Sequence, residues 1–197
     1  MAKNAADQPA LILASSSPRR SELLRQVGVD FRVVVADVDE SVNPGEAPAD
    51  YVLRVARDKV LTVQRREACA LPVLGADTTV VLDGRILGKP DSRAGAAAML
   101  ACLSGRTHEV YSAVALARGP RGVDHRLNVT RVTFAQLEPG WIEAYIDTGD
   151  PMDKAGAYGV QGRAAAKIVR IDGSFSGVMG LPLFETCELL QCAEVLS

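Results

Sequence analysis

The 197-residue sequence places one carboxylate where an ionised group is hard to keep. Asp77 lies inside V-L-G-A-D-T-T-V-V, an apolar run that reads as a buried strand. A charge there needs a partner or a chemical task. Asp83-Gly84 is a two-residue hairpin signal. Counting back from it pairs Leu82 with Arg85, Val80 with Leu87 and Thr78 with Lys89, which makes Asp77 and Lys89 near neighbours unless a bulge intervenes. Such a pair is either a salt bridge at a strand end or a working pair. In the second case Asp77 is a metal ligand or general base and Lys89 holds an anionic substrate. Thr78 at the same strand end and the G-K-P turn, Gly88 to Pro90, favour the second reading.

Four other segments could complete such a site. In S-S-S-P-R-R, residues 15–20, Pro18 opens a helix and Arg19 and Arg20 occupy its first turn. That helix end already carries partial positive charge and free N–H groups. Two arginines there either point into solvent at some electrostatic cost or form, with the serine hydroxyls, a phosphate cradle. Lys59 falls on the apolar stripe of a helix, four residues after Val55, so it either snorkels along the stripe or aims a cation into a cleft. Asp37-Val38-Asp39-Glu40 is a solvated acidic loop or contributes one carboxylate to an oxygen-ligand magnesium site with Asp77. In D-K-A-G-A-Y-G-V-Q-G, residues 153–162, three glycines allow close backbone approach to a ligand. Lys154 adds a cation there, Gln161 an amide able to read a base edge, and Tyr158 a ring that stacks on a base or packs in the core.

The elements that must position these residues follow from periodicity and punctuation. Strands are expected over 10–14, 31–36, 73–82, 85–89, 110–116, 123–134 and 166–171, with a turn at Gly119-Pro120. Helices are expected from Pro18 to Val27, from about Pro48 to Arg66, over 92–103, over 141–146 and from Pro182 to Val195, with Gly149 to Gly162 irregular. Strands alternating with helices, plus antiparallel hairpins, give a mixed α/β fold. Length and a 48% hydrophobic, 23% charged composition suit one globular domain over residues 10–197 behind a flexible start over 1–9. A net charge of −2 argues against a duplex-coating protein, and no apolar run approaches a membrane span. The polar start does not resemble a secretory signal. Four cysteines without C-x-x-C spacing read as free buried thiols in a reducing cytoplasm. His108 and His125 are expected to be structural, and a zinc cluster is not expected.

Taken in order, S-S-S-P-R-R, D-V-D-E, G-A-D-T-T-V-V, G-K-P, L-S-G-R-T-H-E-V, D-K-A-G-A-Y-G-V-Q-G and G-L-P-L resemble the Maf family of nucleoside triphosphate pyrophosphatases, also called septum-formation proteins, from about Leu11 to Leu190. The resemblance implies a mixed twisted sheet with flanking helices, in two lobes around a central cleft, of the Maf/ITPase-like kind. It implies hydrolysis of a nucleoside triphosphate to monophosphate and pyrophosphate with a divalent cation, Mg2+ or Mn2+, by a cytoplasmic homodimer. By the match, Asp77 is the proton acceptor, Arg19, Thr78 and Gln161 govern substrate specificity, Ser15, Arg19, Arg20, Lys59, Lys89 and Lys154 line the phosphate site, and Glu40 joins Asp77 at the metal. The A-Y-G-V-Q-G form is similar to the branch acting on dTTP and UTP. Phe175 and Gly177 depart from the pattern of many members, where tyrosine and a bulkier residue stand, which touches substrate preference rather than chemistry. Two alternatives stand beside this one: a non-catalytic nucleotide-binding regulator of cell division, and the 7-methyl-GTP-directed branch of the same family.

Overall fold

Strand β3, Val73–Leu82, is the apolar run that carries Asp77, and its two edges are covered unequally. The chain is described here from a computed structural model over residues 9–68, 70–119 and 122–196. The expected flexible start (save Pro9), Cys69 and the Pro120 half of the Gly119-Pro120 turn lie outside the described residues. On one edge β5, Thr107–Ala117, pairs antiparallel with β3 from Val73↔Ala117 to Val81↔Glu109. On the other edge β1, Leu11–Leu13, runs parallel and pairs only with Val73 and Leu74. Farther along that edge β4, Arg85–Leu87, returns antiparallel against Val80 to Leu82. Residues 75–79 on this edge therefore face no strand among the described residues. A break between two partners of one strand is a natural mouth for a cleft, because side chains there are fixed by β3 yet not covered by a neighbour.

The rest of the sheet frames that break. Its order is β2-β1-β3-β5-β6-β7, with β4 off the path on β3, where β2 is Phe31–Val33, β6 is Val123–Phe134 and β7 is Ile168–Asp172. The β1–β2 and β1–β3 pairs are parallel and the others antiparallel, so the sheet is mixed. On one face Ala113, Ala115 and Ala117 of β5 pack with Ile12 and Val73 against the stripe Val52, Val55, Ala56, Val60 and Val63 of α2, Pro48–Glu67. On the other face Val114, Leu116, Leu11 and Leu13 pack with α1, Pro18–Gln26, and α6, Leu183–Cys192. A third core, around Val80, Phe134, Tyr145 and Tyr158, joins α3, Arg93–Leu103, and α4, Pro139–Ile146. Each fully buried leucine here contributes about 2 kcal/mol of apolar burial. The first two cores form one lobe and the third forms the other, with the uncovered stretch of β3 between them.

Several expected elements differ in extent. Strand β2 stops at Val33, and β7 starts at Ile168 because Arg163–Lys167 closes a 3-10 turn instead. A five-residue helix α5, Phe175–Met179, capped by the Ser174 hydroxyl accepting from the Gly177 N–H, occupies what read as a turn and loop. The last helix begins at Leu183, with Pro182 as its N-cap, and stops at Cys192. The cysteines correct an expectation too: Cys102 and Cys192 are exposed and Cys187 is half-buried, all with free thiols. They sit on the outer sides of α3 and α6, where short polar or apolar side chains serve equally well.

Candidate active site

The break in β3 opens into a cavity of about 910 Å³ lined by Ser15, Arg19, Arg20, Glu40, Lys59, Asp77, Thr78, Lys89, Lys154 and Gln161; of the acidic run only Glu40 reaches it, and Asp37 and Asp39 do not. At its floor lies Asp77, 5% exposed. Its charge partner is Lys59 rather than Lys89. The Lys59 ammonium sits 2.8 Å from Asp77 Oδ1 and 2.8 Å from Glu40 Oε1. Two features of the fold cause this. Ladder β3–β4 ends at Val80↔Leu87, so Thr78 and Lys89 are never brought into register. And Gly75 leaves room for α2: a Cβ there would lie 2.7 Å from Val60 Cγ1 and 3.3 Å from the Ala56 carbonyl, so the missing side chain brings the Lys59 turn onto the strand. Of the two readings of Lys59 the structure shows the inward one, with the ammonium almost fully buried.

The two carboxylates that share Lys59 are driven apart electrostatically. Burial pushes Asp77 above the usual carboxylate range, with Lys59 and then Arg20 pulling the other way. Glu40 resists burial and is held below that range by Lys59, then Lys89 and Arg20. Neighbouring acids with opposed shifts are the signature of divided roles, one able to take a proton and one staying charged. The Tyr51 hydroxyl donates to the Glu40 carbonyl at 3.0 Å and so fixes the acidic loop, a contact nothing in the sequence pattern indicated.

The wall opposite is the start of α1. Ser17 is its N-cap and Pro18 its first residue, but the Ser17 side chain makes no capping bond, and the first turn holds no acid. Ser15 instead accepts from the Ser17 N–H at 3.1 Å and from Arg20 Nη1 at 3.2 Å. Arg20 Nε donates to the Gly180 carbonyl at 2.8 Å. Gly180 takes φ +117°, a left-handed value that turns this carbonyl inward at the end of α5. Arg20 is thus locked in place, whereas Arg19 and Lys89 have no ion pair or hydrogen bond among the described residues. Thr78 shares a 2.8 Å hydrogen bond with the fully buried Ser112 hydroxyl and donates to the Gly180 carbonyl at 3.4 Å.

The glycine-rich segment forms the rim. Lys154 Nζ contacts Asp150 Oδ1 at 2.9 Å and Asp153 Oδ1 at 2.6 Å. Tyr158 packs in the third core, 5% exposed, with its hydroxyl 2.7 Å from His108 Nε2 and its ring 4.8 Å from that of Phe134. Core packing is therefore its main state, and His108, buried and lowered by burial to about 4, is neutral and structural. Gly156 N donates to the Gly88 carbonyl at 3.1 Å, which ties the segment to the G-K-P turn carrying Lys89. Gln161 itself is exposed at the rim. Among the described residues no group of three or more His, Cys, Asp or Glu side chains converges as a ready-made metal cage. The sequence reading missed Tyr51, Ser112, Tyr145, Asp150 and Gly180; only Asp150, four residues before Lys154, carried a spacing signal.

The chain is similar to several named proteins. A protein from Methylobacillus flagellatus, named dTTP/UTP pyrophosphatase, is 55% identical over 92% of this chain and 91% of its own length. One of the same name from Cupriavidus pinatubonensis is 51% identical over 94% of this chain and 97% of its own. A solved structure of a HAM1 protein from Coxiella burnetii superposes with a TM-score of 0.49 at 18% identity, covering 93% of this chain and 99% of that one. The profile of the Maf-like proteins matches residues 10–193, and with near-complete relatives at half identity or more the chain belongs to the Maf-like protein family.

Proposed function

We propose that this chain hydrolyses nucleoside triphosphates, dTTP and UTP and modified pyrimidine nucleotides among them, to the monophosphate and pyrophosphate. The observation that carries the reading is a single cavity in which a buried carboxylate with an upward-shifted pKa faces an array of fixed and free cations. The names of the near-complete relatives support the same substrates. Phosphoryl chemistry needs charge neutralised and geometry held more than it needs covalent help. Arg19 and Lys89 are available to a triphosphate, Ser15 and Arg20 fix the bend of the cradle, and the ion-paired Lys59 and Lys154 add positive potential at floor and rim. Thr78, Arg19 and Gln161 select the substrate. Asp77 takes the proton of the water that attacks a phosphorus of the α–β anhydride; the bridging P–O bond breaks and pyrophosphate leaves.

Two carboxylate oxygens, of Glu40 and Asp77, already converge on one cation, the Lys59 ammonium, at 2.8 Å each. Magnesium is commonly held by one or two carboxylates with the rest of its shell from phosphates and water. The donor set fits, and Glu40 and Asp77 would hold Mg2+ or Mn2+, which supplies charge neutralisation on the phosphates. No helix among the described residues is long and apolar enough to cross a membrane. We place the protein in the cytoplasm, as a homodimer whose residues 10–197 act as one unit, without membrane or stable nucleic-acid partners.

The test is a panel of pyrimidine and purine triphosphates with magnesium or manganese, with product identified as pyrophosphate or phosphate. Pyrophosphate from dTTP and UTP is expected. Binding without any product would favour the non-catalytic regulator instead, and preference for 7-methyl-GTP the other branch.

A further inference from the structure

We infer that Tyr145, Asp150 and Lys154 form a cradle that sets the position of Gln161, and that these three are specificity-positioning residues. The inference rests on the proposed reading of Gln161 as a base-selecting side chain. Residues 159–162 form a tight turn closed by the Gly162 N–H donating to the Gly159 carbonyl at 3.2 Å, with Val160 buried and Gln161 at its exposed tip. Both ends of that turn rest on the cradle. A Cβ on Gly159 would lie 2.8 Å from Lys154 Cε, and one on Gly162 would lie 3.0 Å from Asp150 Oδ2, so the backbone sits directly on these two side chains.

The cradle is itself held from below. Tyr145, fully buried in α4, donates its hydroxyl to Asp150 Oδ2 at 2.7 Å and accepts from the Gly159 N–H at 3.1 Å. Lys154 closes the loop through Asp150 Oδ1, the Asp150 carbonyl at 2.5 Å and Asp153. Tyr145 thus hydrogen-bonds both the acid and the turn it supports. Asp150 is held below its usual range: burial opposes this, but the Tyr145 and Lys154 hydrogen bonds outweigh it, so the cradle stays charged and closed. A tip fixed by both ends of its turn offers its amide in one place, and displacement of a recognition group by about an ångström is enough to lose much of its discrimination.

The experiment is Tyr145→Phe, which keeps the ring and removes the hydroxyl. Calorimetric affinities for non-hydrolysable methylene-bridged UTP and GTP analogues are measured for the wild type and the variant, beside steady-state kinetics. The expected result is a fall of about tenfold in the UTP-over-GTP affinity ratio, seen as a raised KM for UTP with kcat within a few-fold. An unchanged ratio, with all affinities falling together or only the melting temperature moving, overturns the inference. Asp150→Asn and Gly162→Ala give the same readout should Tyr145→Phe not fold. Wild-type binding with selectivity but no turnover sinks the hydrolase reading and leaves the cradle standing. Turnover with an unchanged ratio in the variants does the reverse, and no wild-type binding of either analogue removes both.

Discussion

Two lysines stand on opposite sides of the cleft, each gripping two carboxylates, and the pairs behave differently. At the floor Lys59 holds Glu40 and Asp77; at the rim Lys154 holds Asp150 and Asp153. The distances are alike. The lysines are alike too, 9% and 11% exposed, and each holds one half-exposed acid, Glu40 or Asp150; the difference lies in the second acid, because the Asp77 side chain is 8% exposed, whereas that of Asp153 is 71% exposed. At the floor one acid is pushed up and the other down. At the rim burial opposes ionisation but Tyr145 and Lys154 outweigh it at Asp150, and Lys154 does so at Asp153, so both acids are held low. On the proposed reading, the same pairing chemistry gives a proton acceptor where desolvation is strong and a mechanical brace where water remains. The local sequence does not distinguish them; the depth does.

That contrast can be broken at its strongest point with Asp77→Asn. Loss of a general base is expected to lower kcat about a thousandfold, with analogue affinity retained. Retained turnover would remove Asp77 from the chemistry and make the floor a brace like the rim. In the wild type, kcat/KM should fall as pH drops through the raised pKa of Asp77, because protonation removes the base, and this acid limb should vanish in the residual activity of the variant.

The next test compares the lysines directly. Lys59→Met leaves Asp77 buried beside no ammonium and should cost about 3–5 kcal/mol in urea unfolding. Lys154→Met should cost only about 1 kcal/mol, because Asp153 is exposed to water and Asp150 keeps its hydrogen bond from Tyr145. Equal losses would mean that depth does not separate the two clusters.

The smallest expected effect concerns the wall behind the rim, where His108 supports Tyr158. Its folded-state pKa, about 4, lies below the ordinary 6.5. The unfolded chain therefore binds a proton that the folded one refuses. This contribution is fully present above pH 6.5 and is lost as pH falls toward 4, reaching about 1 kcal/mol by pH 5.5. His108→Gln keeps a partner for Tyr158 and should remove that slope when pH-dependent melting of the two proteins is subtracted. An unchanged difference would show that His108 is charged in the fold.

Much of this was legible in the chain. The run around Asp77, the Asp83-Gly84 turn and the α2 stripe each appear where periodicity and punctuation put them, because strand alternation, hairpin geometry and helical spacing are properties of short windows. The Asp83 and Gly84 φ values, +52° and +75°, are those the two-residue turn demands. Less regular pieces escaped. The short α5 has too few residues for a periodic signal, and β2 and β7 are shortened where pairing ends rather than where composition changes.

Sequence alone determined which groups are charged, which residues are apolar and where the chain can turn, and so a mixed fold carrying one acid inside a strand. Tertiary structure decided who meets whom. Asp77 found Lys59 rather than Lys89 because β4 stops at Leu87 and a glycine at 75 admits α2. Asp150 met both Tyr145 and Lys154 because α4 packs beneath the rim. Charge and periodicity are local, while desolvation and partnership depend on which stretch of a strand edge the rest of the chain leaves uncovered.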